Sequence, residues 1–187
     1  MTDFSLDHRD GLPDALRILL KDYPREAWDA DPNFSGLVQF WLDRHLMFRR
    51  LLELLREETE GVLDGGRDPE RYRVALSRYG GHLVADLHGH HQIEDHHYFP
   101  ILAQKDARIG AGFELLDADH HALDGHLNDF VETANAALQA EEAKRRDAIA
   151  AFAAGRDRLE RLIDRHLTDE EELVVPVILK YGASGLG

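Results

Sequence analysis

The sequence predicts an all-α chain, an antiparallel up-down four-helix bundle with an extra short helix before it. Three observations predict this. Four long stretches carry apolar residues in alternating steps of three and four. No stretch alternates apolar and polar residues as a strand would. Glycine or proline marks most of the breaks between the stretches.

The elements follow in order. A short helix is expected from Leu12 to Asp22, with Pro13 near its start and Pro24 past its end, followed by a polar linker holding Pro32 and Asn33. A first long helix runs from Phe34 to Gly61 on the seam Phe34, Val38, Trp41, Phe48, Leu52 and Leu55. Gly65 and Gly66 make a turn. Pro69, a good first-turn residue, opens a second helix that reaches Ala103 on Leu76, Tyr79, Leu83 and Ile101. Gly110 and Gly112 mark the next break. A third helix extends to Ala140 on Phe113, Leu116, Leu123, Leu127, Phe130 and Ala134. A fourth runs from Ala143 to Tyr181 on Phe152, Leu159, Ile163, Leu173 and Val177, with Gly182 as its C-cap. Short connections between amphipathic helices favour antiparallel neighbours whose seams meet in a core. The expected organisation is an extension over 1–33, a bundle over 34–182 and a tail over 183–187.

The chain also repeats itself weakly. A shift of 76 residues sets Leu83 on Leu159, His90 on His166, Glu94 on Glu170 and Pro100 on Pro176. A shift of 75 sets His45 on His120 and Leu52 on Leu127. Two helical hairpins of similar design are implied.

Composition narrows the function. With 187 residues, 43% of them hydrophobic and 31% charged, the chain suits one soluble domain. A net charge of −14 repels phosphate backbones, which argues against nucleic acid as a partner. The polar start is not a signal peptide and no apolar run spans a membrane, so a cytoplasmic location is expected. Oligomeric state is not readable. There is no cysteine but there are 12 histidines, which leaves imidazole and carboxylate as the strong metal ligands.

Those histidines interrupt the seams. The first helix reads Trp41, His45, Phe48 and the third reads Leu116, His120, Leu123. The second reads Leu83, Asp86/Leu87, His90, Glu94 and the fourth reads Ile163, His166, Glu170, Leu173. Residues four apart share a helical face, so each His-x-x-x-Glu pair can reach one metal or two adjacent ones. Two carboxylates able to bridge, with imidazoles from four helices, make a two-metal site. The bland alternative is a metal-free network of Glu–His pairs. It must absorb roughly 1–3 kcal/mol for each buried polar group left unsatisfied.

The string from His90 through Glu94, Asp95 and Phe99-Pro100 resembles the signature of the hemerythrin-like HHE family. His166 to Pro176 is similar to its second copy, and His45 and His120 match the family's single-histidine helices. The resemblance covers Phe34 to Tyr181. It implies an oxygen-reactive centre of two iron ions, oxo- or hydroxo-bridged, with zinc as a substitute. Glu94 and Glu170 would bridge, and His45, His90, His120 and His166 would be terminal ligands. The implied partners are small gases or oxidants: dioxygen, nitric oxide or peroxide.

One departure stands out. The family's hemerythrins carry a second histidine four residues along the third helix, where this chain has Asp124. Asp124, His121 and His97 are the candidates for that fifth position. His91 and His96 point away from the seam by helical geometry and are expected at the surface or behind the ligands; His8, His82, His88 and His126 are expected in solvent. Asp95, Glu171 and Glu172 either orient ligand imidazoles or form a solvated face. Gas carriage or sensing, iron buffering, and enzymatic action on peroxide or nitric oxide all remain open, so enzyme status is undecided. A ferritin-like carboxylate site fits less well, because it would need a Glu at position 45 and a His at 173. A structural zinc bundle also stays in play.

Overall fold

In the computed structural model, residues 4–34 and 36–186 are described. Met1–Asp3, Ser35 and Gly187, which the sequence assigns to the extension, the start of the first long helix and the tail, lie outside the described residues. The chain is all-α. Helix α1 spans Gly36–Leu63, α2 Pro69–Ile93, α3 Phe99–Lys105, α4 Gly110–Gln139 and α5 Glu142–Tyr181, and no strand occurs among the described residues.

Local chemistry sets the ends. The α1–α2 turn passes through Gly65 at φ +75°, and the Asp68 carboxylate accepts from Arg71 N–H at 2.9 Å to cap α2. Gly182 ends α5 at φ +74° and donates to Ile178 O at 2.8 Å. Between α2 and α3 the helical path does not stop. It widens into one π-turn over Glu94–Tyr98, closed by Phe99 N–H on Glu94 O. Pro100 follows directly, in the first turn of α3, where its missing N–H removes one donor from an ordinary ladder.

Two expectations need correction. The predicted helix over Leu12–Asp22 is replaced by short 3-10 turns at Ile18–Lys21 and Arg25–Ala30. The stretch between Pro13 and Pro24 is too short to hold an α-helix by itself, and its backbone is drawn into tertiary bonds such as Leu12 N–H to Asp169 Oδ1 at 3.0 Å. Gly110 and Gly112 do not break the chain; they open α4, and the break falls at Asp106, which is extended at φ −149°.

Two compact units are distinguished, each with its own core. The first comprises Met1–His45, His90–Ala122 and Asp164–Gly187. Its apolar core joins Leu12, Leu19 and Trp28 of the N-terminal segment to Trp41, Phe99, Phe113 and the run Leu173–Leu179. The second comprises Leu46–Gly89 and Leu123–Ile163. Phe48, Leu52, Leu76, Leu83, Leu127, Phe130 and Phe152 are buried there, and the rings of Phe130 and Phe152 pack at 5.2 Å.

Within the first unit Gly112 is needed for close approach. A Cβ at that position would meet Leu173 Cδ2 at 2.9 Å and the Leu16 carbonyl at 3.3 Å. Gly112→Val is expected to destabilise the fold by about 1–3 kcal/mol through overpacking, read as a lower urea midpoint at unchanged slope. An unchanged midpoint would contradict the tight seating of the N-terminal segment.

Candidate metal centre

The four long helices and the π-turn deliver the polar side chains of the first unit. His45 comes from α1, His90 and His91 from α2, and Glu94 and Asp95 from the π-turn. Asp119 and His120 come from α4, and His166, Asp169, Glu170 and Glu171 from α5. His45, Glu94, His166 and Glu170 are fully buried and His91 and His120 are 3% exposed.

Their ligand atoms form two groups. His45, His90, Glu94 and Glu170 make one, and His91, His120 and His166 the other; within each, all ligand atoms lie within 4.8 Å of one another. The Nε2 atoms of His45 and His90 face each other at 3.1 Å, as do those of His120 and His166. The carboxylates reach both groups. Glu170 turns Oε1 toward His45 Nε2 at 3.5 Å and Oε2 toward His166 Nε2 at 3.6 Å. Glu94 turns Oε1 toward His90 Nε2 at 2.9 Å and Oε2 toward His120 Nε2 at 3.7 Å.

Outside this ring, further carboxylates fix the imidazoles. His45 Nδ1 donates to Glu171 at 3.0 Å, His120 Nδ1 to Asp95 at 2.6 Å and His166 Nδ1 to Asp119 at 3.2 Å. An ionised carboxylate only accepts, so each Nδ1 carries a proton and Nε2 is the nitrogen turned inward. Trp41 Nε1–H donates to Glu170 Oε1.

The structure places the three candidates for the fifth position away from the two groups. Asp124 is exposed, 3.8 Å from His88. His121 is exposed and donates Nδ1–H to Asp117 O at 2.9 Å. His97 is exposed beside Tyr98. None of the three joins the groups above. The added imidazole is His91, expected to point away and instead buried, stacked on His120 with ring centroids 4.0 Å apart. Leu83 and Leu87 lead to His91 in steps of four, a signal that was present in the sequence. His96 lies in solvent, as do His8, His82 and His88, whereas His126 is partly buried rather than fully exposed. Asp119 and Asp169 were missed, because an aspartate beside a seam histidine resembles any solvated helix face.

These distances describe a cation-binding cluster, and family comparison agrees. A model of the hemerythrin HHE cation binding domain matches residues 36–178. The chain belongs to the hemerythrin HHE family. No curated protein and no solved structure matches it. The hemerythrin HHE match spans every residue of the two groups and stops short of the N-terminal segment.

The hemerythrin-type cluster passes a physical test for a missing cation. Both ring nitrogens of His91, both oxygens of Glu94 and Oε2 of Glu170 are buried without a geometrically sound hydrogen bond among the described residues. Such groups are costly unless something positive satisfies them. The two carboxylates also polarise each other. Burial, and then the charge of Glu170, lifts Glu94 well above the usual carboxylate range. Glu170 is held well below that range, because His45, His90 and His166 outweigh its burial. Without a cation, Glu94 is therefore shifted toward its protonated form.

The imidazoles set a pH profile for the metal-free chain. Burial lowers His90 to about 3 and pulls His91 and His166 down too. Burial opposes protonation of His45 as well, but Glu170 and Glu171 override it and push His45 up to about 9. Below about pH 6.5 an unfolded chain takes up protons that folded His90, His91 and His166 refuse, so stability falls with pH there. The contribution of His45 is complete below about pH 6.5 and is lost as pH rises through about 9. Thermal melts of metal-free protein should peak near neutrality and fall more steeply on the acid side. A melting temperature flat from about pH 7 to 5 would contradict this burial.

Proposed function

We propose that this chain is a non-haem di-iron protein of hemerythrin type that binds or senses dioxygen or a related small oxidant, or buffers iron. One observation carries the reading: Glu94 and Glu170 each turn one oxygen to each of two histidine groups. That is the layout of paired carboxylates spanning two cations. His45 and His90 would hold one ion. His91, His120 and His166 would hold the other.

The donor set fits iron. Imidazole and carboxylate suit ferrous and ferric ions, and no thiolate is present. When bound, iron would supply one-electron redox chemistry and a Lewis-acid position for a small oxidant. Five imidazoles and two carboxylates would hold the ions, and iron held this way would offer its chemistry to a small molecule such as dioxygen, nitric oxide or peroxide.

The chain's own groups prepare that place. Glu171, Asp95 and Asp119 accept from Nδ1–H, so Nε2 is the nitrogen that would reach a cation in His45, His120 and His166. Trp41 fixes one oxygen of Glu170. Phe99, stacked near His120 with centroids 5.4 Å apart, helps keep bulk water from that ring.

Elemental analysis after iron-replete expression should find about two iron atoms per chain, with near-ultraviolet and visible absorption that changes between anaerobic buffer and air. Glu94→Gln or Glu170→Gln should lose at least half of the iron. His91→Ala should lower iron content where His121→Ala and Asp124→Ala leave it unchanged. A single zinc with no visible absorption would overturn the di-iron reading in favour of a structural zinc bundle.

A further inference from the structure

The N-terminal segment lies outside the hemerythrin HHE match, yet it reaches the outer carboxylates. Arg9 is 7% exposed. Its guanidinium grips Asp119 through both outer nitrogens, one at 2.7 Å, and donates Nε–H to Asp169 at 2.9 Å. Asp119 is the carboxylate on His166 Nδ1. Arg25 repeats the arrangement. It donates to Glu171 Oε2 at 2.7 Å, and the other oxygen of Glu171 takes the His45 Nδ1 proton. The Arg25 guanidinium lies 4.6 Å over the Trp28 ring, which is itself buried and anchored by Nε1–H to Tyr23 O at 2.8 Å.

We propose that the N-terminal segment tunes the centre through two arginine–carboxylate–imidazole relays, Arg9–Asp119–His166 for one histidine group and Arg25–Glu171–His45 for the other. This rests on the metal-binding reading above. Arg9 and Arg25 are positioning residues: each touches a carboxylate, and that carboxylate touches the imidazole. A guanidinium drains negative charge from its carboxylate and makes it a weaker acceptor. The imidazole then keeps its Nδ1 proton more fully and gives its cation less electron density. Removing the arginine should strengthen the hydrogen bond from Nδ1–H to its carboxylate and favour the more oxidised state of a bound redox metal.

The segment contains its own controls. Arg17 also reaches α5, through Glu172, but that carboxylate makes no contact with an imidazole among the described residues. His120 leans on Asp95, which takes no arginine among the described residues. The Arg17 pair therefore reports mere docking of the segment, and the His120 proton reports the untuned case.

The experiment uses the full chain loaded with zinc, a diamagnetic probe, and follows the Nδ1 proton resonances of His45, His120 and His166 by NMR. Arg9→Gln should move the His166 resonance downfield and leave His45 in place. Arg25→Gln should do the reverse. Arg17→Gln should move neither, and Arg9→Lys should return His166 most of the way. In the iron-loaded chain, Arg9→Gln and Arg25→Gln should each lower the midpoint potential. Wild-type protein that takes up no metal would defeat the reading beneath the proposal. Metal-loaded protein with unmoved resonances, or equal movement in Arg17→Gln, would defeat the proposal alone. Circular dichroism of each variant separates either result from loss of fold.

Discussion

Glu94 and Glu170 lie side by side in a fully buried space, and most of the first unit is arranged around them. A buried carboxylate without donors costs several kcal/mol or takes up a proton. Trp41 gives Glu170 one donor, and Glu94 has no sound one among the described residues. A cation satisfies both carboxylates and the Nε2 lone pairs at once. The outer aspartates and glutamates follow from the same constraint. By accepting from Nδ1–H, they turn Nε2 inward as the nitrogen that a cation would take.

The seam arithmetic made most of this legible. Helical period alone placed His45, His90, Glu94, His120, His166 and Glu170 on inward faces, and those six do come together. It failed for His91, because the seam was carried from Leu83 and Leu87 to His90 alone, although Leu87 leads four residues on to His91. His91 is buried and His90 half-buried, so both turn inward. It left Asp95 and Glu171 between orienting imidazoles and facing solvent, and it missed Asp119. Asp95, Asp119 and Glu171 have the local pattern of a solvated face, and only tertiary neighbours reveal their partners. The N-terminal segment was least legible. Leu12–Asp22 was read as one α-helix, whereas Leu12 is anchored by Asp169 and Leu19 packs into the core from a short 3-10 turn.

That segment ties the site to the fold. Asp169 accepts from Arg9, from Leu12 N–H and from Arg165 at 2.7 Å, so one buried carboxylate joins the N-terminal segment to α5 beside the candidate ligands. Deforming the segment must disturb Asp119, and through it His166. A stretch that family resemblance leaves aside is thus wired to the centre by ion pairs whose Arg9 and aspartate side chains are nearly inaccessible. Screening by salt is weak for such pairs, so their influence should persist at physiological ionic strength.

Charge balance argues for the cations independently of ligand geometry. Six carboxylates crowd this interior: Glu94, Asp95, Asp119, Asp169, Glu170 and Glu171. Three guanidiniums meet them, from Arg9, Arg25 and Arg165. The remaining negative charge is too large for a low-dielectric interior to carry unaided. In the metal-free chain Glu94 and His45 are both shifted toward holding protons that offset part of it, and both groups lie among the converging nitrogens. A pair of divalent ions entering there would displace such protons and supply the missing positive charge directly, so metal uptake and proton release are two sides of one electrostatic requirement.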